Sequence, residues 1–176
     1  ALAHRLRGAG IAPGAPVATL VPNGVDAPWV SHGVTIAGAA EVPVNAHSTD
    51  TEILWFAELA GFRRILAPAA QAGRLAALGF EAWPIEDIAP DPAPVALPPV
   101  PADAWGRLIF TSGTTGKPKA VVHTHGGRWT AHLLQRAVLP FTPGRGDRVL
   151  LMTPYVHGAS LIAAAWLEQG AEVVLQ

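Results

Sequence analysis

The sequence predicts an α/β fold, a mostly parallel sheet flanked by helices. Two observations carry this. From Pro16 onward, short apolar or β-branched runs alternate with segments of helical periodicity, which is how strands and their covering crossover helices read. Half of the 176 residues are apolar, and the charged fraction is only 14%, so the chain has material for about one domain with a sizeable core.

The elements follow in order. Residues 1–7 read as the middle or end of an amphipathic helix, an unusual opening that points to a chain cut from a longer one. The first strand spans 17–21. Pro22-Asn23-Gly24 then turns, with Asn23 as a helix cap, and Trp29, Val30, Gly33, Val34 and Ala37 recur at helical spacing behind Pro28. A short strand is expected over 41–44. Thr49 and Glu52 form a capping-box pattern, and Ile53, Phe56, Ala57 and Ala60 place one apolar stripe on the helix it opens. A strand over 63–67, a helix over 70–78 and a strand over 80–84 complete a first α/β portion, residues 1–88. Residues 89–104 are dense in proline, which breaks helices and sheet ladders alike, and read as a connector. The remaining portion, 105–176, holds a strand pair around a glycine-rich loop, a helix over 127–139, a strand over 148–152, a helix over 159–169 and a strand over 172–175.

Composition excludes several function classes. A net charge of -1 without an arginine-rich run gives no footprint for nucleic acid. Zero cysteines exclude disulfides and thiolate metal sites. The longest apolar stretch, residues 161–167, is too short to span a bilayer, and no signal-peptide pattern appears at the start. A cytoplasmic location is the default expectation.

The chemistry concentrates in Thr111-Ser112-Gly113-Thr114-Thr115-Gly116-Lys117-Pro118-Lys119. Gly113 and Gly116 admit backbone conformations that turn successive N–H groups toward one anion. Thr111, Ser112, Thr114 and Thr115 add hydroxyl donors, Lys117 and Lys119 add positive charge, and no acid occurs between Trp105 and Lys119. The loop is thus electrostatically suited to phosphate. It is not a Walker loop: only two residues separate its glycines, Pro118 follows Lys117, and a strand rather than a helix comes next. A glycine- and threonine-rich turn that binds nothing is the competing reading of such a loop.

This run, with Val121-Val122-His123-Thr124-His125 after it, resembles the phosphate-loop signature of the adenylate-forming superfamily: acyl- and aryl-CoA synthetases, peptide-synthetase adenylation domains and luciferases. Ala120 stands where that family usually has glycine. The resemblance implies that this is part of the large N-terminal domain of an adenylate-forming enzyme. It further implies ATP-dependent activation of a carboxylic acid (fatty, other aliphatic or aryl) to an acyl-adenylate, then transfer to the thiol of CoA or a carrier protein. Thr111, Ser112, Gly113, Thr114, Thr115, Gly116 and Lys119 would hold the ATP phosphates, with Thr111 and Lys119 as the catalytic candidates, while Lys117 occupies a variable position. The family's adenine and Mg2+ motif, its ribose motif and its C-terminal catalytic lysine are not in this sequence, so the chain alone is expected to be inactive. A truncated, non-catalytic nucleotide- or phosphate-binding module is the alternative, and unpaired sheet edges would call for a further segment or a second copy, making a homo-oligomer a candidate.

A second motif, Thr153 to Ser160, falls between a strand and a helix, where open α/β sheets bind ligands. It resembles the family's acyl-pocket motif, which makes His157 a substrate-binding candidate, with Tyr155 beside it, the latter weighted toward packing. No acid lies between Asp147 and Glu168, so an α-ammonium group would go unpaired there and an acid without one is expected. A metal is not expected. His123 and His125 would share a strand face, but a third ligand is missing and His132 has no acid near it in sequence.

Overall fold

The computed structural model describes residues 1–89, 97, 99–111 and 119–176. Within them are α1 (Leu2–Gly8), β1 (Pro16–Thr19), α2 (Asp26–Ile36), β2 (Ala40–Pro43), α3 (Asp50–Ala60), β3 (Arg64–Ala67), α4 (Ala72–Ala77), β4 (Glu81–Pro84), β5 (Trp105–Thr111), β6 (Lys119–Thr124), α5 (His125–Val138), β7 (Arg148–Leu151), α6 (Ala159–Leu167) and β8 (Glu172–Leu175). Six strands form one sheet in the order β4-β3-β1-β2-β5-β6, parallel except for the antiparallel edge strand β6; β7 and β8 pair in parallel as a second, two-stranded sheet. The expected fold class is the one observed.

Strand β1 shows why both faces must be covered. Val17 and Val21 project into a core built with Leu2, Leu6, Val30, Val34 and Ala163 from α1, α2 and α6. Ala18 and Leu20 project into another, built with Ile53 and Leu75 from α3 and α4. Side chains alternate across a strand, so a central parallel strand buried on both sides reads as a continuous apolar run. The helix after β1 covers one face and those after β2 and β3 cover the other, so the strand order reverses between β1 and β3.

Local chemistry sets the boundaries. The capping box forms as expected: Thr49 accepts from the Glu52 N–H while Glu52 accepts from the Thr49 N–H, and Gly61 closes α3 at φ 75°, a left-handed conformation that favours glycine. Strand β5 carries a bulge at Gly106, where an added Cβ would lie 3.1 Å from the His125 nitrogen; the start of α5 packs directly on that backbone.

Three expectations are corrected. Asn23 does not cap α2, whose N-cap is Val25 without a side-chain bond. Helix α5 starts at His125 because the Thr124 hydroxyl accepts from the Gly127 N–H, so His123 and His125 do not share a strand face. The helix expected over 70–78 is a 3-10 turn, Ala69–Gln71, followed by the shorter α4. The Arg5 and Arg64 guanidinium groups lie over the Trp83 ring at 4.8 and 4.4 Å, and Arg64 also pairs with Glu81 at 2.8 Å.

Candidate functional site

The phosphate-loop candidates Ser112, Gly113, Thr114, Thr115 and Gly116, with Lys117, lie outside the described residues, but the frame that carries them does not. Strands β5 and β6 pair antiparallel in the register Phe110↔Ala120 and Thr111↔Lys119. Thr111 and Lys119 therefore face each other across the mouth of the loop, both exposed, and Lys119 has no ion-pair partner among the described residues. Strand β5 runs parallel to β2, so Thr111 emerges at the same end of the sheet as Pro43 and Asn45.

At that end lies a cavity of about 190 Å3, lined by Asn45, Ser48, Glu52, Phe110, Val156 and His157 among others. Phe110, the neighbour of Thr111, stacks on Phe56 with ring centroids 4.1 Å apart and 18° between planes, which fixes one wall. His157 reaches the cavity from the loop between β7 and α6. Its carbonyl accepts from the Ser160 N–H at 3.2 Å and the Ser160 hydroxyl at 2.7 Å, holding the turn into α6. Glu52 is occupied in the capping box, where the Thr49 backbone N–H and then its hydroxyl hold the Glu52 carboxyl below the usual carboxylate range.

Asn23 joins this loop to the main sheet. Its Oδ1 accepts from the Tyr155 N–H at 3.0 Å, and its Nδ2 donates to the Gln176 carbonyl at 2.6 Å. Tyr155 itself is 3% exposed and packs in the core beside Val17 and Val30. It does not line the cavity that takes His157. Burial, and next the Glu41 charge, push the Tyr155 hydroxyl up, while a hydrogen bond with Ser31 opposes them.

Beneath the site is a buried polar cluster that the sequence reading missed. Arg107 of β5 is fully buried and donates to Glu41 of β2 at 2.6 Å; Glu41 also accepts from Ser31 at 2.6 Å and Thr19 at 3.0 Å. A single acid and a single base in otherwise apolar central strands was the available signal, since such charges persist only when paired. His132 is a further correction: Glu168, which caps α6, lies 3.0 Å from its Nδ1.

A mostly parallel α/β sheet carrying a glycine-rich hairpin loop at its carboxyl end, beside a pocketed strand-to-helix loop, defines the N-terminal domain of an adenylate-forming enzyme. The chain belongs to the AMP-binding enzyme family, which it matches over residues 1–176. It is 31% identical to the long-chain-fatty-acid–CoA ligase FadD13 of Mycobacterium tuberculosis H37Rv over 92% of this chain and 35% of the relative. The fatty acid–[acyl-carrier-protein] ligase ScoC of Streptomyces coeruleorubidus is 34% identical over 70% of this chain and 26% of its own length. Nonribosomal peptide synthetases are also among the relatives. The inhibitor-bound crystal structure of the N-terminal domain of FACL13 from M. tuberculosis superposes with a TM-score of 0.77 at 26% identity, covering 99% of this chain and 47% of that one. The chain thus spans about a third of the length of the first curated relative. No helix among the described residues is long and apolar enough to cross a membrane.

Proposed function

We propose that this chain forms the phosphate-holding and acid-facing part of a ligase that activates a carboxylic acid with ATP and passes the acyl group to the thiol of CoA or a carrier protein. The observation that carries the reading is the juxtaposition of Thr111 and Lys119, framing the loop, with the His157 cavity at one end of the sheet. An exposed lysine opposite a threonine, at the mouth of a loop with no acid in its sequence, fits a polyphosphate. ATP, with its Mg2+, would supply the leaving pyrophosphate. Lys119, Thr111 and residues 112–116 would position the phosphates and stabilise their charge, which is catalysis by orientation and preorganised electrostatics.

The acid we favour lacks an α-amino group. Residues 148–167 contain no acid, and Glu52, though it lines the cavity, has Oε2 committed to Thr49. An ammonium group there would be left without a full counter-charge. Carboxylate-dependent ATP–pyrophosphate exchange, measured on the longest natural chain that carries these residues, tests the reading. Exchange with aliphatic or aryl acids supports it. Nucleotide binding without exchange would favour a non-catalytic phosphate-binding module, and exchange driven only by amino acids would overturn the acid class.

A further inference from the structure

We propose that the cavity enclosed by α2, α5 and the end of α6 is a binding site for a small oxyanion of the carboxylate or phosphate class. It measures about 180 Å3 and is lined by His32, Thr35, His125, Arg128, His132 and Glu168, with Trp129 at its rim. Arg128 and His132 lie four apart on one face of α5, with His125 three residues before Arg128. The site sits toward the start of β5, beside Gly106, some five residues or about 16 Å of strand from Thr111. It is separate from the His157 cavity and independent of the acid-activation reading.

Arg128 anchors this cavity. It is 6% exposed, donates to the Thr35 hydroxyl at 3.0 Å and the Gly106 carbonyl at 3.5 Å, and leaves its Nε–H without a partner among the described residues. Among the described residues it has no ion pair. The nearby carboxylates are committed elsewhere: Glu41 to Arg107 at 2.6 Å, and Glu168 to Arg136 at 2.7 Å and His132 at 3.0 Å. A buried guanidinium without a counter-ion is costly, and the cavity beside it is where a counter-ion fits.

The histidines add a second signature. His132 is 5% exposed; its Nδ1 lies 3.0 Å from a Glu168 carboxylate oxygen, and among the described residues its Nε2 has no partner, as is also true of His125 Nε2. Burial is the largest cause holding both rings below the ordinary histidine range. Neutral rings present lone pairs to an oxyanion, whereas protonated rings present donors. The groups around them are His32 and Thr35 from α2, Arg128 and Arg136 from α5, and Glu168 at the end of α6, with the Glu41–Arg107 pair, His123 and Tyr155 behind. Arg128 and Arg136 against Glu168 leave one positive charge in excess, so an arriving anion raises the affinity of the rings for protons. Binding is therefore coupled to proton uptake.

The test is calorimetric titration of the longest natural chain that carries these residues, near neutral pH and without nucleotide, with sodium formate and, separately, inorganic phosphate, in two buffers of different ionisation enthalpy. We expect one saturable site, with heats that differ between the buffers in the direction of proton uptake. Tighter binding of formate would assign the carboxylate class, and tighter binding of phosphate the phosphate class. Arg128→Met should weaken binding at least about tenfold while folding as well as the parent in anion-free buffer, because it removes an uncompensated charge. His125→Gln combined with His132→Gln should bind with reduced proton uptake. Absence of saturable heat with either anion, parental affinity in Arg128→Met, or unchanged uptake and affinity in the double histidine variant would each overturn the proposal.

Discussion

Glu41 and Arg107 oppose each other in the register of β2 and β5, and their carboxylate and guanidinium meet at 2.6 Å with Arg107 fully buried. The pair stitches β5, the strand that ends at Thr111, into the parallel part of the sheet. Removing one partner strands a charge in the interior, a loss of about 3–5 kcal/mol, whereas replacing both by apolar residues is far less costly. Arg107→Met should accordingly lower the urea midpoint sharply, and Glu41→Leu with Arg107→Met should recover most of the loss. Additive effects of the two changes in a denaturation series would show that the residues do not act as a pair.

Asn23 is the second long-range tie, bonded to both Tyr155 and Gln176. Asn23→Ala removes an acceptor and a donor at once, on the order of 1–3 kcal/mol, but only from the loop that bears His157 and the end of β8. Hydrogen exchange should show the Tyr155 amide losing roughly tenfold or more of its protection while amides of β1 change little. Asn23→Asp, which keeps the oxygen, should retain most of the Tyr155 protection. Uniform loss across the sheet would instead mark Asn23 as a global stabiliser.

What the sequence disclosed tracks the range of the interaction responsible. The Thr49–Glu52 capping box, the strand over 172–175 and the strand–loop–strand setting of the phosphate loop depend on neighbours within a few residues, and all appear at or near their expected places. Asn23 was singled out, but its partners lie 132 and 153 residues away, so local reading assigned it the commonest local task of an asparagine before a helix. His132 looked acid-free because Glu168 is 36 residues distant. The Glu41–Arg107 pair was invisible for the same reason: strand order, which sets β2 beside β5, is not written in either strand.

Three histidines should make stability depend on mildly acidic pH. Burial is the first cause holding His123, His125 and His132 below the usual imidazole value, with Arg107 and Arg128 acting in the same direction on His123. A folded-state pKa below the unfolded value of 6.5 means that the unfolded chain binds more protons between the two. Stability is then present above about pH 6.5 and is lost as pH falls through that value toward the folded-state values. Urea midpoints measured from pH 8 to 5 in a buffer without carboxylate or phosphate should fall below neutrality, and His132→Gln should flatten the slope. A midpoint independent of pH across that window would refute the assignment.

His157 reaches the cavity that Asn45 and Phe110 help to line, and the proposed function gives it the acid. His157→Asp places a carboxylate where an imidazole ring stood. It should weaken use of simple carboxylic acids by about tenfold or more through like-charge repulsion, and any gain should favour acids bearing an amino group. The residue is exposed, so the fold should be indifferent to the change. An acid profile identical to that of the parent in the pyrophosphate-exchange assay would remove His157 from the pocket.

Lys119 closes the loop opposite Thr111 and is exposed, with no ion pair among the described residues. Its removal should therefore leave stability within about 0.5 kcal/mol of the parent. If its charge acts on the departing pyrophosphate rather than on the acid, Lys119→Ala should slow adenylate formation by about 100-fold or more, as loss of a charge-stabilising donor does elsewhere, while acid affinity changes little. Gly116→Val should act in the same sense by stiffening the loop and filling the space a phosphate needs. Exchange rates and acid binding measured side by side separate the roles: equal losses in both would place Lys119 on the acid, and no loss in either would remove the loop from the reaction.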